Sequence, residues 1–175
     1  MTIFAGASSG TWRVLSVAPV IGETLPSVEW LAIGEVAPPE AAWFLRGVRS
    51  NARYLERREK IALDLASPPL DRSQATRAAL IPIKKSAAWW DLPQDERRAI
   101  FEERSHHIAA CMRFMPAVAR RLYHSRDLGE PFDFLTWFEY APEHADLFEE
   151  LVRMLRATEE WNWVDREVDV RLTAG

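Results

Sequence analysis

Histidine and arginine side chains with potential chemical roles are concentrated between residues 99 and 126. His106 and His107 are adjacent, and Arg120 and Arg121 follow on the far side of Pro116. Apolar residues recur around them at helical spacing, namely Ile100, Ile108, Cys111 and Met115. In a continuous helix His107 would lie about 20° from Ile100, whereas His106 would lie about 100° from His107. The pattern therefore predicts that His107 belongs to the apolar stripe and that His106 is a surface residue.

A histidine in an apolar stripe needs a hydrogen-bond partner or a metal, because a buried ring N–H without a partner is costly. Pro116 is expected to break the helix, and a second short helix would then carry Arg120 and Arg121. The kink could direct one arginine toward the pocket that His107 faces. A histidine on one side and an arginine on the other suit an iron porphyrin together with a bound anion. Arg121 is expected to be solvated.

The periodicity of the chain predicts strands and helices in one domain. Strands are expected at 11–20, 28–36, 42–50, 77–84, 132–140 and 164–172, and helices at 54–66, 91–115 with an extension to about 124, and 143–158. Pro82 predicts that 77–84 is an edge strand. The order of elements in the second half indicates an α+β fold with helices on one face of an antiparallel sheet. The first half is rich in strands and looks like a trimmed version of the same unit.

Composition limits the classes of partner. The 175 residues carry a net charge of −4, which argues against nucleic acid or an anionic membrane as partner. No stretch is long and apolar enough for a membrane span, and no secretory signal is visible. Cys111 is the single cysteine, so an intramolecular disulfide is excluded and a reducing, cytoplasmic location is expected.

Several segments together resemble the chlorite dismutase family. They are 84–90, 105–110, 116–124, 132–139 and 156–161. The short first half is similar to the compact, dimeric branch of that family. The resemblance implies a dimeric α+β barrel built of two ferredoxin-like units. Residues 1–76 would form the reduced N-terminal unit, and 77–175 would form the C-terminal unit that binds haem b.

The resemblance also implies roles for individual residues. His107 would be the proximal ligand to the haem iron, Glu160 its carboxylate partner, and Arg120 the arginine on the opposite, distal side. Thr136 and Phe138 would line the distal side, while Tyr54, Lys85 and Trp89 would surround the haem edge and its propionates. Glu159 could replace Glu160 if the register differs by one residue. Some compact members have a glutamine near the distal arginine, where this chain has about Ser67.

Considered one at a time, these residues could each have an ordinary structural role. His107 would be a buried core histidine, Arg120 an ion-pair partner, and Glu160 an exposed acid. In combination they imply haem-dependent conversion of chlorite to chloride and dioxygen through hypochlorite, with chlorite and other small anions as ligands. Two alternatives stay open: a coproheme decarboxylase or weak haem peroxidase, and a haem-binding protein without catalysis. The decarboxylases generally lack the distal arginine, so Arg120 favours the first reading.

Overall fold

Eight antiparallel strands close into a barrel in the computed structural model, which describes residues 1–49 and 53–175. The strands are β1 (Thr2–Ala7), β2 (Trp12–Ile21), β3 (Trp30–Gly34), β4 (Trp43–Arg49), β5 (Arg77–Lys85), β6 (Ala119–His124), β7 (Phe134–Tyr140) and β8 (Val164–Ala174). Around the barrel they follow the order β1-β3-β2-β8-β5-β7-β6-β4. The protein is therefore an α+β protein with an eight-stranded antiparallel barrel.

The two halves of the chain have the same strand order. The first half runs β4-β1-β3-β2 and the second runs β8-β5-β7-β6, so each reads fourth, first, third, second. The halves meet where β2 pairs with β8 and where β4 pairs with β6. In the second half helices connect β5 to β6 and β7 to β8, whereas short connections without helices join β1 to β2 and β3 to β4.

Five α-helices accompany the barrel. They are α1 (Arg57–Ala66), α2 (Ala87–Asp91), α3 (Gln94–Arg98), α4 (His107–Cys111) and α5 (Ala145–Arg156). The alternation of side chains along β5 separates two cores. Ala78 and Leu80 pack inside the barrel, while Ala79, Ile81 and Ile83 pack beneath the helices. The candidate site lies in this second core, between the sheet and the helices.

The amphipathic helix α5 confirms the prediction over 143–158 to within two residues at each end. Its buried face consists of Phe148, Leu151, Val152 and Leu155, which recur at helical spacing. Phe148 stacks on Tyr140 with ring centroids 4.4 Å apart and meets Phe138 edge-on at 5.1 Å. The helix therefore covers β7 and closes one side of the second core.

The long helix predicted over 91–124 is wrong. α3 continues as a π-helix at Ala99–Arg104, and His106 then adopts a left-handed conformation with φ of 51° before α4 begins. After Pro116 the chain forms β6, so Arg120 and Arg121 lie on a strand. Arg120 faces Phe138 of β7 in the pairing register. Tertiary pairing with β7 and β4 overrides a local pattern that was compatible with helix.

Three other differences follow from barrel closure. Pro82 does not lie on an edge strand, because β5 pairs with both β7 and β8, and the registered pairs with β8 skip Ile81 and Pro82. The sheet is closed and not open with helices on one face. β1 was not predicted, because all but the first of its side chains are buried and no polar alternation marks it.

The remaining predicted strands are confirmed with shifts of a few residues. The prediction over 42–50 corresponds to β4, and its last residue lies outside the described residues. The helix predicted over 54–66 begins at Arg57, because Tyr54 has a φ of 64° and lies in a turn. Within the described residues no helix is both long enough and apolar enough to span a membrane.

Candidate active site

His107 is positioned by an abrupt change of chain direction. The left-handed conformation of His106 ends the preceding helix, and His107 is the first residue of α4. The Glu102 carboxylate accepts hydrogen bonds from the N–H groups of Ile108 (2.6 Å) and Ala109 (3.2 Å), which stabilises this first turn. Phe101 stacks on the His107 ring with centroids 4.4 Å apart. The imidazole is largely buried, whereas His106 is exposed as predicted.

The carboxylate partner of His107 in the structure is Glu160. Its Oε2 lies 2.7 Å from His107 Nδ1, so a proton on Nδ1 leaves Nε2 with a free lone pair. The Glu160 N–H donates to Ser105 Oγ at 2.9 Å, which fixes the acid beside the start of α4. Glu159 instead forms an exposed ion pair with Arg104. Of the two acids considered from the sequence, only Glu160 is placed next to His107.

Lys85 completes a buried row of charges. Its Nζ donates to Glu160 Oε1 at 2.7 Å and lies over the rings of Trp89 (4.7 Å) and Trp161 (5.4 Å). The side chain is only 4% exposed. The sequence placed Lys85 at the haem edge, beside the propionates. The structure places its ammonium group on Glu160, at the side of the carboxylate away from His107.

Opposing effects act on the pKa of Glu160. Burial raises it, while the charges of His107 and Lys85 and the hydrogen bonds from both lower it, and together they hold it at about 2. The acid is therefore ionised throughout the neutral range. An ionised carboxylate that accepts the Nδ1 proton makes the imidazole a stronger electron donor at Nε2.

This low pKa predicts a specific acid sensitivity of the haem-free protein. Between the ordinary value of 4.5 and about 2, the unfolded chain takes up a proton at residue 160 that the native protein does not. The free energy of unfolding should therefore fall as pH falls through this window. Glu160→Gln should show a shallower fall, as measured by denaturant unfolding at a series of pH values. Glu159→Gln should keep the wild-type slope, and equal slopes in all three proteins would contradict the prediction.

Two adjoining cavities bring the predicted residues together. The first, here the Trp89 cavity, contains about 750 Å³ of space between atoms, and the second, the Phe138 cavity, about 520 Å³, both figures including open solvent. Seven of the predicted residues line the Trp89 cavity: Tyr54, Lys85, Trp89, His107, Arg120, Thr136 and Glu160. Phe138 lines the other cavity, and His107, Arg120 and Thr136 line both. All eight predicted residues therefore line two cavities that share part of their walls.

Arg120 is the unpartnered charge of this region. Its backbone pairs with Phe138 in the sheet, but its guanidinium has no ion pair or hydrogen bond with any residue in 1–49 or 53–175. Burial lowers the pKa of its guanidinium. The neighbouring Cys111 thiol supplies no compensating charge, since burial raises its pKa to about 12. Arg120 is half-buried, and a partly desolvated cation without an anion is costly, so the arrangement favours binding of an anionic ligand.

The residues present fit an iron porphyrin. No group of three or more His, Cys, Asp or Glu residues could hold a metal ion within the described part of the chain, so a bare ion has no ready site. The donor set instead offers one imidazole nitrogen to a metal that brings its other ligands with it. The Trp89 Nε1–H is buried in the cavity wall without a partner and could donate to an acidic group of the ring.

Comparisons with known proteins agree with this geometry. A family model described as chlorite dismutase matches residues 28–174. The chain belongs to the chlorite dismutase family. A chlorite dismutase of Ideonella dechloratans is 40% identical over 62 residues, which are 35% of this chain and 20% of that protein. The chain thus matches about a fifth of the length of this family member.

Solved structures extend the comparison over the whole chain. A dimeric chlorite dismutase from Nitrobacter winogradskyi is 63% identical, with a TM-score of 0.95 and full coverage of both chains. A chlorite dismutase from Candidatus Nitrospira defluvii, solved with imidazole, is 30% identical with a TM-score of 0.61. That match covers 83% of this chain and 56% of the other.

Sequence reasoning missed two aromatic residues of the site. Phe101 stacks on His107, and Trp161 donates its Nε1–H to Glu167 at 2.7 Å while facing Lys85. Trp161 directly follows Glu160 and could have been found from that adjacency. Phe101 had no comparable signal, because the π-helix and the turn at His106 change which residues share a face with His107.

Proposed function

We propose that this protein is a haem b-dependent chlorite dismutase that converts chlorite to chloride and dioxygen. One observation carries the proposal: the buried His107–Glu160–Lys85 row and the unpartnered Arg120 line the same cavity. One half of the arrangement suits an electron-rich axial ligand and the other suits a small anion. Membership of the chlorite dismutase family and the similarity to the Nitrobacter winogradskyi structure support the same activity.

His107 would hold the haem through Nε2. When bound, the haem supplies an iron centre that can take an oxygen atom from chlorite. Glu160 keeps the Nδ1 proton of His107 in place, and Lys85 fixes the orientation of Glu160 through its second oxygen. The Trp89 Nε1–H and the Tyr54 hydroxyl are the donors that would face acidic groups of the porphyrin. Lys85 would act on the haem through Glu160, because its ammonium group donates to that carboxylate.

Arg120 would bind the substrate anion. Its guanidinium presents a planar set of donors and a charge that burial leaves poorly screened. Thr136 and Phe138 are both largely buried on β7 and would keep the space beside the anion small and dry. The same cation would retain hypochlorite, the anion left after oxygen transfer, within the site.

The test is oxygen evolution from chlorite by the purified, haem-loaded protein, with a peroxide-dependent oxidation assay alongside. Rapid oxygen release with weak peroxidase activity is expected. Peroxidase activity without oxygen release would favour the haem peroxidase alternative. Release of CO2 from propionates of added coproheme, with peroxide as the oxidant, would favour the decarboxylase, and inactivity toward all three substrates would leave a haem-binding protein.

Replacing Glu160 by glutamine should raise the ferric/ferrous potential while haem is retained. A neutral amide accepts the Nδ1 proton less strongly, so the imidazole donates less charge to the iron. The substitution also leaves the positive charge of Lys85 unbalanced, which shifts the potential in the same direction. Spectroelectrochemical titration measures the shift. Glu159→Gln, which changes an exposed acid, should match wild type, and an unchanged potential in Glu160→Gln would contradict the proposal.

We also propose that the two halves, 1–76 and 77–175, are ferredoxin-like units and that the first has lost both helices. The shared strand order supports this division, because the second half has the β-α-β-β-α-β sequence of that fold. Loss of the two helices between the strands of the first unit explains why all five α-helices in the described part of the chain follow β4. The helix α1 lies within 1–76 but connects β4 to β5. The candidate haem site then belongs to the unit that kept its helices.

A homodimer is proposed as the assembly. The similar Nitrobacter winogradskyi protein is described as dimeric. This chain exposes Leu15, Phe44 and Val48 on strands of its first half, where few helices cover the sheet. Light scattering of the haem-loaded protein at micromolar concentration should give twice the monomer mass of 20.1 kDa. A monomer or a pentamer would overturn this proposal.

The cytoplasm is proposed as the location. Cys111, the single cysteine, is buried with a thiol pKa raised to about 12, so it contributes neither a disulfide nor a reactive thiolate. Nothing in such a chain requires an oxidising compartment.

A further inference from the structure

A third and larger cavity lies against Arg120. This Arg49 cavity contains about 1740 Å³ of space that includes open solvent. Its wall is formed by β4, α1, the loop after α1 and β6, and its charged residues are Arg49, Lys60, Asp64, Asp71, Arg120 and Arg121. No role for it follows from haem binding, since His107 and Glu160 do not line it.

The partition between the Arg49 cavity and the Trp89 cavity is almost entirely apolar. Leu55, Leu63, Leu122 and Arg120 line both cavities. Arg120 is the one charged residue among these four, and it also lines the Phe138 cavity. A wall separates an anion in the Arg49 cavity from His107. Arg120 is the charged residue of that wall, so the anion contacts Arg120 first.

The charge of the Arg49 cavity is opposite to that of the whole chain. The cavity is lined by four basic residues and two acidic ones. The basic residues are Arg49, Lys60, Arg120 and Arg121, and the acidic ones are Asp64 and Asp71. Lys60 and Asp64 neutralise each other in an ion pair. Arg49 and Arg121 have no ion pair within the described ranges. The protein as a whole carries −4, so a small anion is attracted to this cavity while much of the remaining surface repels it.

We propose that the Arg49 cavity is the anion entrance of the site, and that Arg49 and Arg121 steer small oxyanions to Arg120. The inference rests on the proposed function for its substrate, and its test requires haem binding but not chlorite turnover. A concave, cationic surface raises the local concentration of anions and their association rate, and salt suppresses the effect. Arg49 and Arg121 act before the chemical step, so they would change the rate of arrival and leave turnover at saturating substrate unchanged.

The experiment measures association rates of two ligands with the ferric, haem-loaded protein by stopped flow. Azide is the anionic probe and imidazole is the neutral one. Arg49→Glu is expected to slow azide association by roughly threefold to tenfold at low ionic strength, a modest part of the range for steering. The difference from wild type should shrink as salt is added, and imidazole association should be unchanged. Arg121→Gln should give a smaller change in the same direction.

Arg113→Glu is the matched control. It changes the net charge by the same amount, but Arg113 is exposed, pairs with Glu150 and does not line the Arg49 cavity. Its azide association rate should stay near wild type. Equal azide rates in Arg49→Glu and Arg113→Glu would overturn the proposal. Equal slowing of azide and imidazole would also overturn it, since that result indicates a blocked or distorted path.

The outcomes separate this inference from the proposed function. If wild type releases no oxygen from chlorite but Arg49→Glu still slows azide association alone, the proposed entrance is supported and the proposed chlorite activity is contradicted. If oxygen is released and the azide association rate is unchanged by substitution of Arg49 or Arg121, the proposed activity is supported and the proposed entrance is contradicted. In the first case the ligand class would be small anions other than chlorite.

Discussion

Replacement of His107 by alanine is expected to remove most of the bound haem. The imidazole is the one group of the candidate site with a nitrogen lone pair available to iron, since its other nitrogen is held by Glu160 at 2.7 Å. The apolar walls of the Trp89 cavity alone would bind the porphyrin weakly. The haem content should be measured after purification and again after titration with haem, by the absorbance of the Soret band relative to protein.

His106→Ala is the matched control, because His106 is the adjacent histidine but is exposed. It should keep haem at the wild-type level, provided that the left-handed conformation at residue 106 survives. His106→Asn tolerates this conformation better than alanine and guards against that complication. Addition of imidazole to His107→Ala should restore part of the haem binding. If both His106 variants lose haem and His107→Ala keeps it, the ligand assignment is wrong.

The sequence predicted which residues belong to the site better than it predicted the contacts that hold them in place. Elements with a clear hydrophobic periodicity, namely α5, β7 and β8, lie within two residues of their predicted bounds. The resemblance to a known family implied the eight site residues, and in the structure they line two adjoining cavities. Their contacts depend on partners far apart in sequence: Lys85 meets Glu160 across 75 residues, and no local pattern encodes that pairing.

Backbone irregularities explain the main failure of the sequence prediction. The apolar spacing through Ile100, Ile108 and Cys111 resembles one long helix, but a π-helix and a left-handed His106 interrupt it. The interruption allows His107 to begin α4 beside Ser105 and Glu160. Likewise the stretch around Arg120 carries no strong periodicity of its own, and its strand conformation depends on pairing with β7 and β4. The first region thus follows an irregular local hydrogen-bond pattern, and the second depends on pairing with strands distant in sequence.

Arg120→Ala is expected to weaken anion binding and to release hypochlorite during chlorite turnover. Removal of oxygen from chlorite depends on the haem iron, so reaction with chlorite should persist. A charge-assisted contact of this kind contributes roughly 1.5–3 kcal/mol, which is on the order of ten- to a hundredfold in affinity or rate. Released hypochlorite should chlorinate an added trap and bleach the haem after fewer turnovers. Oxygen yield, trap chlorination and residual Soret absorbance measure the three effects.

Two further variants distinguish retention from simple loss of charge. Arg120→Lys keeps the positive charge but not the planar set of donors, so it should recover anion affinity more than oxygen yield. Arg113→Ala removes an exposed arginine outside the site and should behave as wild type. Arg121 is unsuitable as a control because it lines the Arg49 cavity with Arg120. Equal trap chlorination by wild type and Arg120→Ala would remove the retention role and leave Arg120 as an anion-binding charge alone.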